Sequence, residues 1–360
     1  MSMNQISDYY ESAIDLLKEL ITTPSFSKEE DQTAAILERW FQKQDITYKK
    51  YKNNVYAFNK HYDENKPNLL LNSHHDTVKP NGSYTRDPFK AEIVGDKLYG
   101  LGSNDAGGAL VSLMHCFLHF YSIENLPFNL IMAATAEEEI AGVDSLRGLL
   151  PILPSIDLAI VGEPTLMDLA IAEKGLVVFD GKVSGTASHA AHPNDDQAIH
   201  KMIPVLHWFK ELRFEKVSKH LGEVKTTVSQ LQAGTQHNVI PSEVKFVVDV
   251  RVNDCYKNQE IDAFFQENAP CEMQARSLRM QSSQIDEDHA LVKAGLQLGR
   301  NTYGSPTLSD QAALNCQSLK LGPGDSTRSH TADEFIFTHE IKEGIEIYIK
   351  LLETYINTVA

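Results

Sequence analysis

A chain of 360 residues is long for one core, so two domains are expected. Its composition, 42% hydrophobic and 23% charged, is that of a globular protein, and its net charge of −16 speaks against nucleic acid or an anionic membrane as partner, since both select basic patches. No segment reaches the roughly 18 uninterrupted apolar residues of a membrane span, residues 1–6 carry no leader pattern, and Cys116, Cys255, Cys271 and Cys316 are scattered like reduced thiols, so a cytoplasmic location is expected.

Ile14, Leu17, Leu20 and Ile21, then Ile36, Leu37, Trp40 and Phe41, recur at helical spacing, and Thr23-Pro24-Ser25 separates the two helices. Strand and helix then alternate. Residues 69–71, 130–134 and 158–161 read as short buried strands, with helices over 107–121 and 142–150. This order implies an α/β domain, a mixed sheet flanked by helices. From about Gly175 the pattern changes to strands at 177–183, 224–231, 244–252 and 273–280, with helices at 195–213 and 258–267. Two helices on a four-stranded antiparallel sheet make a ferredoxin-like α+β insertion. Helical spacing returns over 289–300 and 337–356, with a strand at 319–321 between them. The expected organisation is a discontinuous catalytic domain, residues 1–175 and 283–360, interrupted by a second domain at 176–282.

The chemistry-bearing residues follow those strands. His74 ends the run after Leu69-Leu70-Leu71, with Asp76 two residues later, so the imidazole is a metal-ligand candidate and the carboxylate its orienter. Asp105 lies in a glycine-rich turn, Gly100 to Gly108, where one carboxylate can bridge two ions. Glu137, Glu138 and Glu139 leave a strand in different directions, so one can bind metal while its neighbour stays free as a base. Glu163 sits before Pro164, and His330 in the turn-rich run from Gly322 to Glu334. Two imidazoles and three carboxylates suit zinc, with cobalt or manganese as substitutes, and two ions would lie about 3.5–4 Å apart. His75 and Glu137 read as structural neighbours. A di-iron carboxylate protein would instead need paired Glu-x-x-His on bundle helices.

Ser73-His74-His75-Asp76-Thr77-Val78-Lys79-Pro80, Leu101-Gly102-Ser103-Asn104-Asp105-Ala106-Gly107-Gly108 and Gly324-Asp325-Ser326-Thr327-Arg328-Ser329-His330-Thr331-Ala332-Asp333-Glu334 resemble the M20 family of metallopeptidases and deacylases. They are most similar to its acetylornithine deacetylase-like members of Bacteroidetes-type bacteria. The resemblance covers essentially the whole chain and implies a zinc-peptidase-like catalytic domain with an inserted dimerisation, or lid, domain. It implies one zinc on His74, Asp105 and Glu163 and a second on Asp105, Glu139 and His330, with Glu138 as general base. Gly185 to Pro193 is similar to the family segment whose histidine, here His189, reaches the partner subunit's site in a homodimer and stabilises the oxyanion. Asn238 and Arg251 fall in segments that contact substrate. The resemblance breaks where the family has arginine and lysine, at Leu101 and Gly107.

The implied activity is removal of an acetyl or succinyl group from N-acyl-ornithine or N-acyl-citrulline in arginine synthesis, or hydrolysis of di- and tripeptides or of succinyl-diaminopimelate within the same family. Arg251 either receives a substrate carboxylate or forms a strand-edge salt bridge. Asp310 either meets an ornithine ammonium or caps the helix that follows it.

Overall fold

The apolar spacing at the start of the chain becomes helices α1 (Met3–Ile21) and α2 (Asp31–Lys43), which bury Leu17, Leu37 and Phe41 in the main core. In the computed structural model, which describes residues 3–359, the chain divides into two compact units. The first comprises the residues up to Ile171, Gln284–Tyr303 and those from Ser309 on; the second comprises Ala172–Ser283 and Gly304–Leu308.

In the first unit, α2 leads into a hairpin of β1 (Tyr48–Tyr51) and β2 (Asn54–Phe58), turned at Lys52 and Asn53 with Lys52 at φ 53°. There follow β3 (Asn68–His74), β4 (Glu92–Val94), β5 (Lys97–Tyr99), α3 (Gly108–Phe120), β6 (Asn129–Thr135), α4 (Leu146–Leu149), β7 (Leu158–Val161) and β8 (Leu169–Glu173). Every residue of β3 and β6 is buried. Leu69 and Leu71 enter the core shared with α1, α2 and α3, while Leu70 enters a second cluster with Leu146 and Leu149. A strand covered on both faces explains why the sequence shows a continuous apolar run there instead of alternation.

The second unit holds β9 (Gly175–Ser184), β10 (Ser188–His189), α5 (Ala198–Glu211), β11 (Lys225–Ala233), β12 (Val239–Ile240), β13 (Glu243–Val252), α6 (Asn258–Asn268) and β14 (Glu272–Ala275). Its four long strands lie in the order β11-β13-β9-β14, all antiparallel. With α5 and α6 this is the β-α-β-β-α-β pattern of the split βαβ arrangement. Val177, Phe179, Phe246, Val248 and Phe265 form its core.

The chain returns to the first unit with β15 (Ser283–Gln284), α7 (Ala290–Gln297), β16 (Thr302–Ser305), β17 (Gln317–Lys320), β18 (Phe335–Phe337) and α8 (Thr338–Val359), of which Ser283, Gly304 and Ser305 group with the second unit. The main sheet runs β1-β2-β6-β3-β7-β17-β8-β15, with β16 also on β8. Its centre, β6-β3-β7-β17, is parallel, and its flanking pairs β1-β2, β2-β6 and β17-β8 are antiparallel.

Two expectations change. The helix over 142–150 shrinks to the single turn of α4, because the Gly142 N–H turns back to the Glu137 carbonyl and the Ser145 hydroxyl to the Gly142 carbonyl. Gly304–Leu308, expected with the catalytic domain, groups with the second unit: Gly304 lies against the His220 carbonyl and the Lys174 N–H donates to the Ser305 carbonyl. Among the described residues no helix is long and apolar enough to cross a membrane.

Because Leu70 is fully buried in the central strand, Leu70→Ala is expected to destabilise the protein by about 2–5 kcal/mol. Urea unfolding read by circular dichroism measures it. A midpoint equal to that of the unsubstituted protein would contradict the packing described.

Candidate metal centre

Open α/β sheets place their sites beyond the carboxyl ends of the parallel strands. Here His74 is the last residue of β3, Glu138 and Glu139 follow β6, and Glu163 follows β7. The Ser73 hydroxyl donates to the Gly162 carbonyl (2.8 Å), tying the end of β3 to the turn that carries Glu163.

His74 is buried. Its Nδ1 lies 3.0 Å from the Asp76 carbonyl oxygen and 3.4 Å from Asp76 Oδ1, so the backbone carbonyl is the nearer orienting acceptor, where the carboxylate was expected. The Asp76 carboxylate does further work. It accepts from the Ser27 hydroxyl (2.7 Å) and from the backbone N–H groups of Glu138 (3.1 Å) and Glu139 (3.2 Å). Asp76 therefore anchors the glutamate turn as well as the imidazole.

The other ring nitrogen, His74 Nε2, faces Asp105 Oδ1 at 3.4 Å, Glu163 Oε1 at 3.7 Å and Glu138 Oε2 at 4.0 Å. The second imidazole, His330, has Nε2 at 3.0 Å from Glu139 Oε2 and 3.6 Å from Asp105 Oδ2. Asp105 thus turns one carboxylate oxygen toward each imidazole. His74 Nε2 is buried and has no hydrogen-bond partner, although carboxylates surround it. Ligand atoms of His74, Glu138 and Glu163, and of His74, Asp105 and Glu139, lie within 4.8 Å of one another. An orphaned imidazole nitrogen among carboxylate oxygens fits a divalent metal ion.

The charges respond to this crowding. Burial, reinforced by Glu163, Asp310 and Glu139, holds the Glu138 carboxyl well above the usual range. Burial also pushes Glu163 up to about 8. For His74 burial opposes protonation, but the Asp105 and Asp76 carboxylates outweigh it and raise the ring well above its ordinary value. The hydrogen bond with Glu139 lifts His330 to about 9.

His75 points elsewhere: Nε2 donates to the Asn53 carbonyl and Nδ1 meets the Thr33 hydroxyl, both at 2.9 Å, and burial lowers the ring to about 4. Glu137, at φ 55°, accepts from the Asp144 N–H and forms part of the turn. Asp310 is buried and accepts from the Thr135 hydroxyl (2.7 Å) at the end of β6, while Ser309 supplies the cap by accepting from the Gln311 N–H. The capping role, one of the two alternatives for Asp310, therefore belongs to its neighbour.

His189, Asn238 and Arg251 lie in the second unit. His189 pairs with Val239 across β10 and β12, and the Ala190 N–H donates to the Asn238 carbonyl (3.0 Å), so one small ribbon carries both candidates. Arg251 forms a forked ion pair with Asp249 on the same strand (2.9 and 3.2 Å), the salt-bridge alternative, on an inner strand and not an edge.

Sequence reasoning missed two contributors, Ser27 and Glu334. Nothing near Ser27 in sequence signals its bond to Asp76. Glu334 accepts from the Asp105 N–H (3.0 Å), and its one signal is its place four residues after His330. The departure at Gly107 has a steric cause: a Cβ there would lie 2.4 Å from the Gly102 carbonyl oxygen and 2.6 Å from Leu17 Cδ1, leaving no room for lysine in this turn.

The chain is similar to known proteins along nearly its whole length. Acetylornithine deacetylase of Pectobacterium carotovorum subsp. carotovorum (strain PC1) is 27% identical over 378 residues, covering 95% of this chain and 97% of the relative. Two solved structures are similar in fold: aminopeptidase PepT from Bacillus cereus (TM-score 0.76, 15% identity) and the Bacillus subtilis YXEP protein, a dinuclear metal binding peptidase from the M20 family (TM-score 0.75, 16% identity). Each alignment covers 96% of this chain and 98% of the other. Residues 70–354 match the description Peptidase family M20/M25/M40, and the chain belongs to that family.

Proposed function

We propose that the protein is a dinuclear zinc amide hydrolase that removes the acetyl or succinyl group from N-acyl-L-ornithine or N-acyl-L-citrulline, in the cytoplasm and in the service of arginine synthesis. Family membership carries the coarser statement, a metal-dependent hydrolase with a peptidase fold. The full-length similarity to acetylornithine deacetylase supports the substrate class. The observation that carries the two-ion chemistry is Asp105, with oxygens 3.4 Å from His74 and 3.6 Å from His330. In this reading His74, Asp105 and Glu163 would hold one zinc, and Asp105, Glu139 and His330 the other; cobalt or manganese could substitute.

Bound zinc would supply Lewis acidity, lowering a water's pKa toward about 7 and polarising a carbonyl. Glu138 makes no side-chain hydrogen bond among the described residues and is free for proton transfer. It takes a proton from the attacking water as oxygen bonds to the amide carbon, then passes it to the nitrogen as the C–N bond breaks. The products are a carboxylate and a free amine. Asp310 keeps a hydrogen bond to Thr135, which supports a role at the strand end over an ammonium contact. Arg251 would have to exchange Asp249 for a substrate carboxylate.

His189 Nδ1 accepts from the Ala191 N–H (3.1 Å), so its neutral ring carries its proton on Nε2 and is a donor suited to an oxyanion. The reading gives that donor to the partner subunit of a homodimer. Support comes from β11, an edge strand with exposed Leu231, and from α5, which exposes Ile199, Ile203 and Leu206 on one face.

The fold likeness to aminopeptidase PepT favours one second reading, the peptidase alternative. Incubating the zinc-loaded protein with N-acetylornithine, N-succinylornithine, N-acetylcitrulline, succinyl-diaminopimelate and a peptide panel separates the two. Turnover of an N-acyl-ornithine or N-acyl-citrulline is expected; efficient turnover of peptides alone would sink the deacylase reading.

Glu138→Ala is expected to keep its metal content and lose at least about 10²-fold in rate. Unchanged turnover would remove Glu138 from the mechanism. Mixing Glu138→Ala with His189→Ala subunits should restore roughly a quarter of the unsubstituted activity, because half the dimers then own one complete site. No recovery after subunit exchange would place His189 outside the partner's site.

A further inference from the structure

Asp105 and His330 stand far apart in sequence, and the residues just after His330 hold both in place. His330 adopts φ 58° and Asp333 φ 54°, which turns two consecutive carboxylates toward different loops. Asp333 accepts from the backbone N–H groups of Thr85 and Arg86, each at 2.9 Å, and from the Thr85 hydroxyl. Asn81 Nδ2 reaches the His330 carbonyl at 3.3 Å. Glu334 instead enters the glycine-rich turn: Oε1 accepts from the N–H groups of Asn104 (2.8 Å) and Asp105 (3.0 Å), and Oε2 from that of Gly102 (3.1 Å). In return the Gly100 N–H donates to the Glu334 carbonyl at 3.0 Å. The Glu334 side chain is buried, with 1% of the residue exposed.

We infer that Glu334 is the positioning residue of the bridging carboxylate: by gripping three amides of the Asp105 turn from the segment that carries His330, it sets the spacing of the two groups that share the second ion. The inference rests on the dinuclear reading above. Three backbone N–H groups converge on its two oxygens, and a carboxylate is the side chain that can take all three without offering a donor, even as burial and the Asp105 carboxylate push Glu334 up to about 8. Glutamine has the same shape but sets an NH₂ against at least one of those N–H groups. Aspartate keeps the charge and lacks the reach. The ion on His74 and Glu163 keeps two ligands that Glu334 does not touch, so the loss should fall on the ion that depends on Asp105 and His330 together.

The test uses the full chain, stripped of metal by chelation and titrated with Zn²⁺ by calorimetry, with bound metal counted by mass spectrometry. The unsubstituted protein should bind two ions. Glu334→Gln, with Glu334→Asp read in the same way should the first variant not fold, should keep the affinity of one ion and bind the other about 10–100-fold more weakly. A folded variant that binds both ions like the unsubstituted protein overturns the inference. Equal weakening of both ions, with a matching loss of metal-free thermal stability, also overturns it, because that is what a merely structural role gives. An unsubstituted protein that binds one ion overturns the dinuclear reading itself, an outcome visible before any variant is made.

Discussion

The ends of β3, β6 and β7 carry more negative charge than their own imidazoles can neutralise. Asp76, Asp105, Glu138, Glu139, Glu163 and Asp310 gather around His74 and His330, and taking that many carboxylates out of water is costly unless positive charge joins them. The cost is visible in Glu163 and Glu334, each pushed up to about 8, and in Glu138, held well above its ordinary range. The fold meets the acceptors that have structural tasks with backbone N–H groups: those of Glu138 and Glu139 for Asp76, and those of Gly102, Asn104 and Asp105 for Glu334. The carboxylates beside His74 Nε2 are not met in this way. That division between carboxylates held by backbone amides and carboxylates facing His74 Nε2 separates the framework from the proposed metal-site residues.

Much of this was legible because strand ends are. A buried parallel strand writes a continuous apolar run, and the polar residue that stops it must sit at the sheet's edge where sites form, so Leu69-Leu70-Leu71 located His74. The antiparallel second unit was legible for the opposite reason: β13 alternates buried and intermediate or exposed residues along its length, the signature of a sheet with one covered face. The β1-β2 hairpin was not. Its strands carry Lys49 and Lys50 at an exposed edge and turn on Lys52 in the left-handed region, a position that glycine or asparagine normally marks.

The site was less legible where a backbone group joins in what a side chain was expected to do. The spacing of His74 and Asp76 suggested a carboxylate on the ring, and a two-residue separation at a strand end brings the Asp76 carbonyl to Nδ1 at 3.0 Å beside that carboxylate at 3.4 Å, which also takes the amides of the glutamate turn. The Arg251 alternatives were left open for a similar reason. Asp249 and Arg251, two apart on β13, share a face, so the ion pair is the local default, and sequence cannot say whether a ligand competes for it.

Asp76 also explains how two adjacent glutamates come to do different work. Glu138–Ile140 forms a single 3₁₀ turn, in which successive side chains are rotated by about 120°. Glu139 therefore reaches His330 at 3.0 Å while Glu138 stays on the His74 side at 4.0 Å. Were the turn to extend into a strand, the two carboxylates would point to opposite faces. Asp76 accepts from both of their N–H groups and Ser27 anchors its second oxygen, so the pair is fixed from behind. Asp76 thereby orients the His74 imidazole through its carbonyl and carboxylate and sets apart, through the same carboxylate, the proposed ligand Glu139 from the proposed base Glu138.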